Sequence, residues 1–130
     1  MSQTSVQAVH RFLTSGPGDL KDVLHPDVVF SEAVGLPYSG EWIGVDGVGL
    51  LLSQVFAGLK MAVLSRELVE IGSGRVLALM TVRFTSRRSG AALETKVMEI
   101  YGVRDGLVAT ADIYYKDPAG VAALLEPSPA

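Results

Sequence analysis

The sequence predicts a single α+β domain in which helices pack on one face of a curved, mainly antiparallel sheet. Apolar residues recur at helical spacing in three segments of the first 59 residues. From about residue 61 the apolar period changes to two, which predicts four consecutive strands. The Asp105-Gly106 pair between the last two strands is a strong signal for a tight hairpin. No repeat or linker divides residues 1–130, so we expect one domain.

Each element is bounded by turn or capping residues. The expected helices comprise residues 4–14, a short segment that begins at Asp19, residues 46–59 and residues 117–125. The expected strands comprise residues 28–32, 61–71, 75–86, 93–104 and 107–115. Residues 35–44 contain several glycines and a proline, and they are expected to form a loop. A curved sheet with helices on one face encloses a space suited to an apolar pocket.

Composition and charge exclude several classes of function. The chain is 48% apolar and 19% charged with a net charge of −3 and no basic block, which argues against nucleic-acid binding. With no cysteine and two histidines, no metal site and no cofactor are expected. The N-terminus has no apolar signal core, and polar residues interrupt the apolar segment 45–59, so no membrane span is expected. The expected location is the cytoplasm.

Three glutamates fall on the apolar sides of predicted strands. Strict alternation places Glu32 with Phe30, Glu67 with Val69 and Glu99 with Tyr101. Burial disfavours the charged form of a carboxyl and raises its pKa by up to about 3–5 units. One carboxyl can then act as a base while another stays protonated as a donor. In the alternative interpretation, edge distortion exposes each glutamate or an arginine, foremost Arg83, pairs with it. A β-bulge would reverse any one of these assignments.

Three stretches resemble the SnoaL-like and ketosteroid isomerase-like branch of the NTF2-like superfamily. They read GDLKDVLHPDVVFSEAVGLPYSGEWIGVDGV, VMEIYGVRDGLVATADIYY and DPAGVAALL. The resemblance covers nearly the whole chain and implies the NTF2-like, or cystatin-like, fold.

The same resemblance implies roles for the glutamates. Glu32 stands where ketosteroid isomerases carry their general base, and Glu99 stands where they carry a protonated acid of the oxyanion hole. Their oxyanion tyrosine lies on the first helix, where this chain has no tyrosine and Arg11 or Phe12 falls nearest. The stretches AVGLP and SRELVE also resemble polyether epoxide hydrolases, which implies an acidic pair of Glu32 and Glu67.

Together these features predict a cofactor-free acid/base enzyme that acts on an apolar polyketide-, terpenoid- or steroid-like small molecule. It would be an isomerase, a cyclase or an epoxide-opening hydrolase, with Glu32 as base, Glu99 as hydrogen-bond donor and Glu67 as auxiliary acid. The expected substrate contacts are Tyr38, Trp42, Phe56, Arg83, Tyr101 and Tyr114. For Tyr38 and Trp42, packing on the sheet is an equally weighted alternative. For Tyr114, the equally weighted alternative is a place in a dimer interface. The rival hypothesis is a non-catalytic small-molecule-binding or protein-interaction domain.

Two geometric expectations complete the prediction. Glu32 and Glu99 should line one cavity, with their carboxyl groups within roughly 10 Å of each other. The even-numbered residues of the strand from Arg75 are apolar: Val76, Ala78, Met80, Val82 and Phe84. If the odd side faces the core, this even side is too apolar for solvent, which predicts a homodimer formed through the sheet.

Overall fold

A computed structural model describes residues 4–126 of the chain. The helices within this range are α1 (Ser5–Leu13), α2 (Leu20–Val23), α3 (Gly44–Gly58) and α4 (Pro118–Leu124), with a short 3-10 helix at Pro17–Asp19. The strands are β1 (Leu24–Glu32), β2 (Gly40–Ile43), β3 (Leu59–Gly72), β4 (Arg75–Ser86), β5 (Ala92–Arg104) and β6 (Leu107–Tyr115). The predicted order of helices and strands is confirmed, apart from one strand that the sequence analysis assigned to a loop.

The strands form one sheet in the order β2-β1-β6-β5-β4-β3. Neighbouring strands are antiparallel except β1 and β6, which run parallel. The additional strand is β2, which pairs with the end of β1 and brings Gly40 opposite Glu32. Its sequence, GEWI, is only four residues long and lies among turn residues, so periodicity could not reveal it. It completes the sheet beside Glu32.

The helices cover one face of the sheet, which we call the inner face. On β4 the even-numbered residues from Val76 to Ser86 are buried, and the odd-numbered residues are exposed or half-buried. The predicted orientation of β4 is therefore wrong: the even side faces the core rather than a second copy of the chain. The odd side carries two arginines and two threonines besides Leu77 and Leu79, so the more apolar even side is the one that forms the core, and its apolar character does not indicate an interface.

A β-bulge in β3 changes which of its residues face inward. Val63 pairs with Val82 and Ser65 pairs with Thr81, which leaves Leu64 without a partner. The extra residue reverses the alternation that follows. Arg66 then lies opposite Met80 on the inner face, while Glu67 lies opposite the half-exposed Leu79. The prediction that Glu67 faces the apolar interior is wrong for this reason.

Helix α1 brings an aromatic side chain onto the centre of the inner face. A capping box between Thr4 and Gln7 begins the helix, with the Thr4 hydroxyl accepting from the Gln7 amide at 3.1 Å. The ring of Phe12 packs edge-on against Phe30 with ring centroids 5.5 Å apart. Its centroid lies 6.0 Å from that of the Tyr101 ring. The first helix therefore presents an aromatic hydrocarbon, and no hydroxyl, to the interior at Phe12.

Candidate active site

A cavity of about 820 Å³ lies between the helices and the inner face of the sheet. Its walls are mainly apolar, with Phe12 from α1, Leu51 and Val55 from α3, and Phe30 and Val82 from the sheet. The polar side chains that line it are Ser15, Glu32, Ser53, Arg66, Glu99, Tyr101 and Tyr115. A volume of this size with a few convergent polar groups suits a small organic molecule.

The register of the sheet sets Glu32 and Glu99 in one row across the inner face. Ser31 pairs with Asp112, so the next step of the parallel register sets Glu32 beside Ile113. Ile113 in turn pairs with Glu99. Two strand spacings separate the two Cα atoms by about 10 Å. Both carboxyl groups line the cavity, where a single small molecule can contact both of them.

Glu32 is a buried carboxyl with few polar contacts. Only 8% of its surface is exposed, and the Ala33 amide donates to Oε1 at 3.3 Å. Burial is the main cause that raises its pKa from 4.5 to about 8, and the negative charge of Glu99 adds to the rise. The protonated form therefore predominates at pH 7, and ionisation begins just above neutrality.

Glu99 has a tightly held oxygen atom. The hydroxyl of Tyr101, two residues along β5, donates to Oε1 at 2.5 Å. Burial raises the pKa of Glu99, while this hydrogen bond and the positive charge of Arg66 lower it in part. Burial also raises the pKa of Tyr101, which keeps its hydroxyl protonated. Because Tyr101 occupies Oε1, a protonated Glu99 has its second oxygen available as a donor to a ligand.

A pair of tyrosine hydroxyls connects Glu32 to the loop before β2. The Tyr115 hydroxyl lies 3.5 Å from Glu32 Oε2, at the long limit of a hydrogen bond, and 3.1 Å from the Tyr38 hydroxyl. Burial raises the pKa of Tyr38 to about 12 and raises the pKa of Tyr115 as well. The hydroxyls can donate toward an ionised Glu32 or reverse when Glu32 is protonated, because each is both donor and acceptor.

The predicted substrate contacts divide between the two faces of the sheet. Phe56 and Tyr101 line the cavity. Tyr38 is buried behind it, held by the Trp42 indole, which donates to the Tyr38 carbonyl oxygen at 3.0 Å. Neither Tyr38 nor Trp42 is part of the cavity wall, and both pack on the core instead.

Arg83 and Tyr114 face away from the main cavity, so neither of these predicted substrate contacts is part of its wall. Arg83 is an odd residue of β4 and lies opposite Glu94 on the exposed side of the sheet. Tyr114 is 46% exposed and its hydroxyl donates to Asp112 at 2.6 Å. The adjacent Tyr115 faces the cavity instead, because it pairs with the inner-facing Val97.

Glu67 does not join the other two carboxyls. It is exposed, and it lines a separate depression of about 600 Å³ together with Leu79, Lys96 and Tyr114. Strand β3 contributes Arg66 to the main cavity in its place. Alternation missed Arg66, since the bulge at Leu64 has no signature in the sequence.

Within residues 4–126, no three His, Cys, Asp or Glu side chains are grouped so that they could hold a metal ion. No helix in the same range is long and apolar enough to cross a membrane.

Solved structures with the same fold identify the architecture. An NTF2-like protein from Burkholderia xenovorans LB400 superposes with a TM-score of 0.85 at 22% identity, over 97% of this chain and 98% of that chain. TerC, co-crystallised with polyporic acid, superposes with a TM-score of 0.78 at 22% identity, over 94% of this chain and 98% of that chain. A candidate SnoaL-like polyketide cyclase from Jannaschia sp. CCS1 superposes with a TM-score of 0.75 at 13% identity, over 98% of this chain and 99% of that chain. No family model matches the chain, and no curated protein matches it in sequence.

These similarities define an NTF2-like fold, and the expectation from the sequence is confirmed at that level. Its structural neighbours include one protein named as a candidate SnoaL-like polyketide cyclase. Identities of 13–22% show the fold alone, so the chemistry of this chain has to be argued from its own cavity.

Proposed function

We propose that the protein is a cofactor-free acid/base enzyme that moves a proton on an apolar small molecule bound in the main cavity. The observation that carries the proposal is the row across the inner face, which brings two carboxyls of raised pKa, Glu32 and Glu99, to one apolar cavity. A buried carboxyl with a pKa near 8 is a stronger base, once ionised, than an exposed one.

The proposed step is proton abstraction beside a carbonyl group. The protonated Glu99 donates a hydrogen bond to the carbonyl oxygen through the oxygen that Tyr101 leaves free. Ionised Glu32 takes the proton from the adjacent carbon, and the electron pair of the C–H bond moves into an enolate. Its negative oxygen is stabilised by the Glu99 donor, in a cavity whose apolar walls strengthen that interaction.

The fate of the enolate distinguishes an isomerase from a cyclase. Return of the proton from Glu32 to a different carbon gives an isomer. Attack of the enolate carbon on a second carbonyl carbon of the same molecule forms a ring and leaves an alkoxide that takes up the proton. Both outcomes use the same two carboxyls. Epoxide opening by Glu32 and Glu67 has no such support, because the two side chains lie on opposite faces of the sheet.

The similar structures support a small, apolar substrate. One is named as a candidate polyketide cyclase, and another was crystallised with polyporic acid. Their small-molecule chemistry fits a cavity of about 820 Å³. The rival proposal is a domain that binds such a molecule without transforming it, and it predicts binding without proton exchange.

Hydrogen–deuterium exchange tests the proposal without knowledge of the natural substrate. The parent protein is incubated in D₂O with 2-tetralone, an apolar bicyclic ketone, and the loss of its α-proton signals is followed by NMR. We expect exchange faster than in buffer, loss of that acceleration in Glu32→Gln, and its retention in the matched control Glu67→Gln. Binding of the ketone without accelerated exchange would favour the rival, and equal loss in both variants would overturn the role of Glu32.

We further propose that the protein forms a homodimer through the exposed side of the sheet and acts in the cytoplasm. This exposed side, the outer face, carries Glu67, Leu79, Arg83, Lys96, Met98 and Tyr114. It replaces the even side of β4 as the expected interface. Apolar side chains at its centre and charges of both signs around them make it self-complementary under a two-fold rotation.

A further inference from the structure

We propose that Arg66 binds the anionic group of the substrate, so that the substrate class of the main cavity is an elongated apolar acid. The acid would carry a carboxylate, or an enol or phenol acidic enough to ionise, at the end opposite the reacting carbon. This inference rests on the proposed function, because it takes the main cavity as the substrate site.

The charge of the cavity favours an anionic ligand. Arg66 is the only cationic side chain among the described residues that line it. Within residues 4–126, its guanidinium has no hydrogen-bond or ion-pair partner at close distance, although two glutamates line the same cavity. Burial raises the pKa of Glu32 to about 8 and raises the pKa of Glu99 as well, which favours their protonated forms over the carboxylates that would neutralise the arginine. The guanidinium of Arg66 is therefore able to attract an anion into the cavity.

Arg66 stands at the mouth of the cavity. The exposed residues that line the cavity are Pro17, Ser53, Phe56, Ala57, Met61, Val63 and Arg66, and most of them lie near the end of α3 and the start of β3. Glu32, Phe30 and Tyr101 are buried. Arg66 also lines the neighbouring depression, which places it where the cavity opens to the surface. A guanidinium there keeps its hydration until a ligand arrives, so it need not be paired inside the protein.

The span between Arg66 and Glu32 suits an elongated ligand. Strands β3 and β1 are four spacings apart in the sheet order. Four spacings separate the two Cα atoms by about 19 Å along the sheet. The two side chains reach inward over roughly half of that distance, which leaves a span on the order of 10 Å for the ligand. A two- or three-ring apolar molecule with one charged end fills such a span.

The remaining titratable groups around Glu32 determine how binding depends on pH. Tyr115 faces Glu32 from β6, Tyr38 stands behind it, and Glu99 lies in the same row on β5. Helices α1 and α3 contribute no charged side chain to the described wall. As the pH rises through about 8, Glu32 ionises, its negative charge offsets the positive charge of Arg66, and the affinity for an anion should fall.

Binding of a matched pair of probes tests the inference. 2-Naphthoate and 2-naphthamide share size and shape, but only the first carries a negative charge, and both are titrated into the protein by calorimetry at pH 6.5. We expect the parent to bind naphthoate at least tenfold more tightly than the amide. Arg66→Met should abolish the preference and Arg66→Lys should retain part of it. The control Arg83→Met, on the outer face of the next strand, should behave like the parent.

Equal binding of the two probes by the parent, or an undiminished preference in a folded Arg66→Met variant, overturns the inference, as does no binding of either probe up to its solubility limit. Glu32→Gln should keep the preference and remove its decline above pH 8. A parent that prefers the acid but exchanges no protons would refute the proposed function alone. Proton exchange without a preference for the acid would refute this inference alone.

Discussion

The hydroxyl of Tyr101 donates a 2.5 Å hydrogen bond to Oε1 of Glu99, two residues earlier on the same strand. The two side chains share the inner face because residues two apart on a strand point the same way. The bond fixes which carboxyl oxygen is available to a ligand. On β6 the same spacing recurs on the outer face, where Tyr114 donates to Asp112 at 2.6 Å. The second pair lines no part of the main cavity and serves as a matched control.

Removal of the Tyr101 hydroxyl should lower catalysis more than binding. In Tyr101→Phe the Glu99 carboxyl is free to rotate, so its proton no longer points consistently at the substrate. We expect kcat of the exchange reaction to fall about tenfold, with little change in KM, as for a donor that acts mainly in the transition state. Loss of the buried hydrogen bond should also cost about 1 kcal/mol of folding free energy.

The control for that change is Tyr114→Phe, which removes the equivalent hydroxyl from the outer face. It should leave both kcat and the melting temperature close to those of the parent. Steady-state NMR exchange assays and thermal melts of the three proteins give the comparison. Equal losses of kcat in the two variants would show that Tyr101 has no special relation to the reaction.

The pH dependence of the exchange reaction should report the ionisation of Glu32. The base must be ionised, so kcat/KM should rise about tenfold per pH unit below the Glu32 pKa and level off above about 8. The Tyr115 hydrogen bond lowers this pKa. Its loss in Tyr115→Phe should therefore move the midpoint to higher pH. Tyr38→Phe should cause a smaller shift, since Tyr38 acts through Tyr115.

The midpoints are obtained from exchange rates of the three proteins between pH 5.5 and 9.5. A midpoint that stays fixed or moves to lower pH in Tyr115→Phe would contradict the assigned hydrogen bond.

The carboxyls that the sequence assigned correctly to the inner face lie on regular stretches of strand. Val28 to Glu32 alternates in burial without a break, and β5 pairs with both of its neighbours in unbroken register around Glu99. Alternation therefore sufficed for Glu32 and Glu99. It failed on β3, because Leu64 is inserted as a bulge and nothing distinguishes this leucine from its neighbours in the sequence. As a result, the sequence pattern placed Glu67 on the inner face, where the structure has Arg66.

Adjacent residues of similar type posed a different difficulty. Tyr114 and Tyr115 are identical side chains on successive positions, so only the pairing of Tyr115 with Val97 shows which one enters the cavity. On β4 the even side is the more apolar, and the pairing of Ala78 with Glu99 shows that this side faces inward. Long-range register decides such cases, and a single sequence contains no direct signal for it.

The outer face should hold a second copy of the chain. Leu79 lies at the centre of this face and is 39% exposed. The oppositely charged Arg83 and Glu94 lie beside it. We expect the parent to sediment as a dimer at micromolar concentration and Leu79→Arg to sediment as a monomer, because the substitution places two like charges near the two-fold axis. The control is Leu50→Arg, at a leucine of α3 that is 61% exposed. A monomeric parent, or a dimeric Leu79→Arg variant, would contradict this interface.

The last prediction concerns the stability cost of the buried Glu32 carboxyl. Its pKa is raised from 4.5 to about 8 in the folded protein, chiefly by burial. The folded state therefore holds the proton more tightly than the unfolded chain. The associated stability is complete below pH 4.5, is lost progressively as the pH rises to about 8, and stays lost above it. The loss should be about 5 kcal/mol.

Glu32→Gln removes the titration while it keeps the size and hydrogen-bonding capacity of the side chain. The variant should match the parent near pH 5, exceed it in melting temperature by several degrees at pH 8.5, and lose proton exchange at every pH. Glu67→Gln removes a carboxyl from the exposed face and should follow the parent throughout. Thermal melts from pH 4.5 to 9 provide the measurement. A Glu32→Gln variant that is less stable than the parent at pH 8.5 would show that Glu32 is an ionised structural group, and the catalytic proposal would lose its basis.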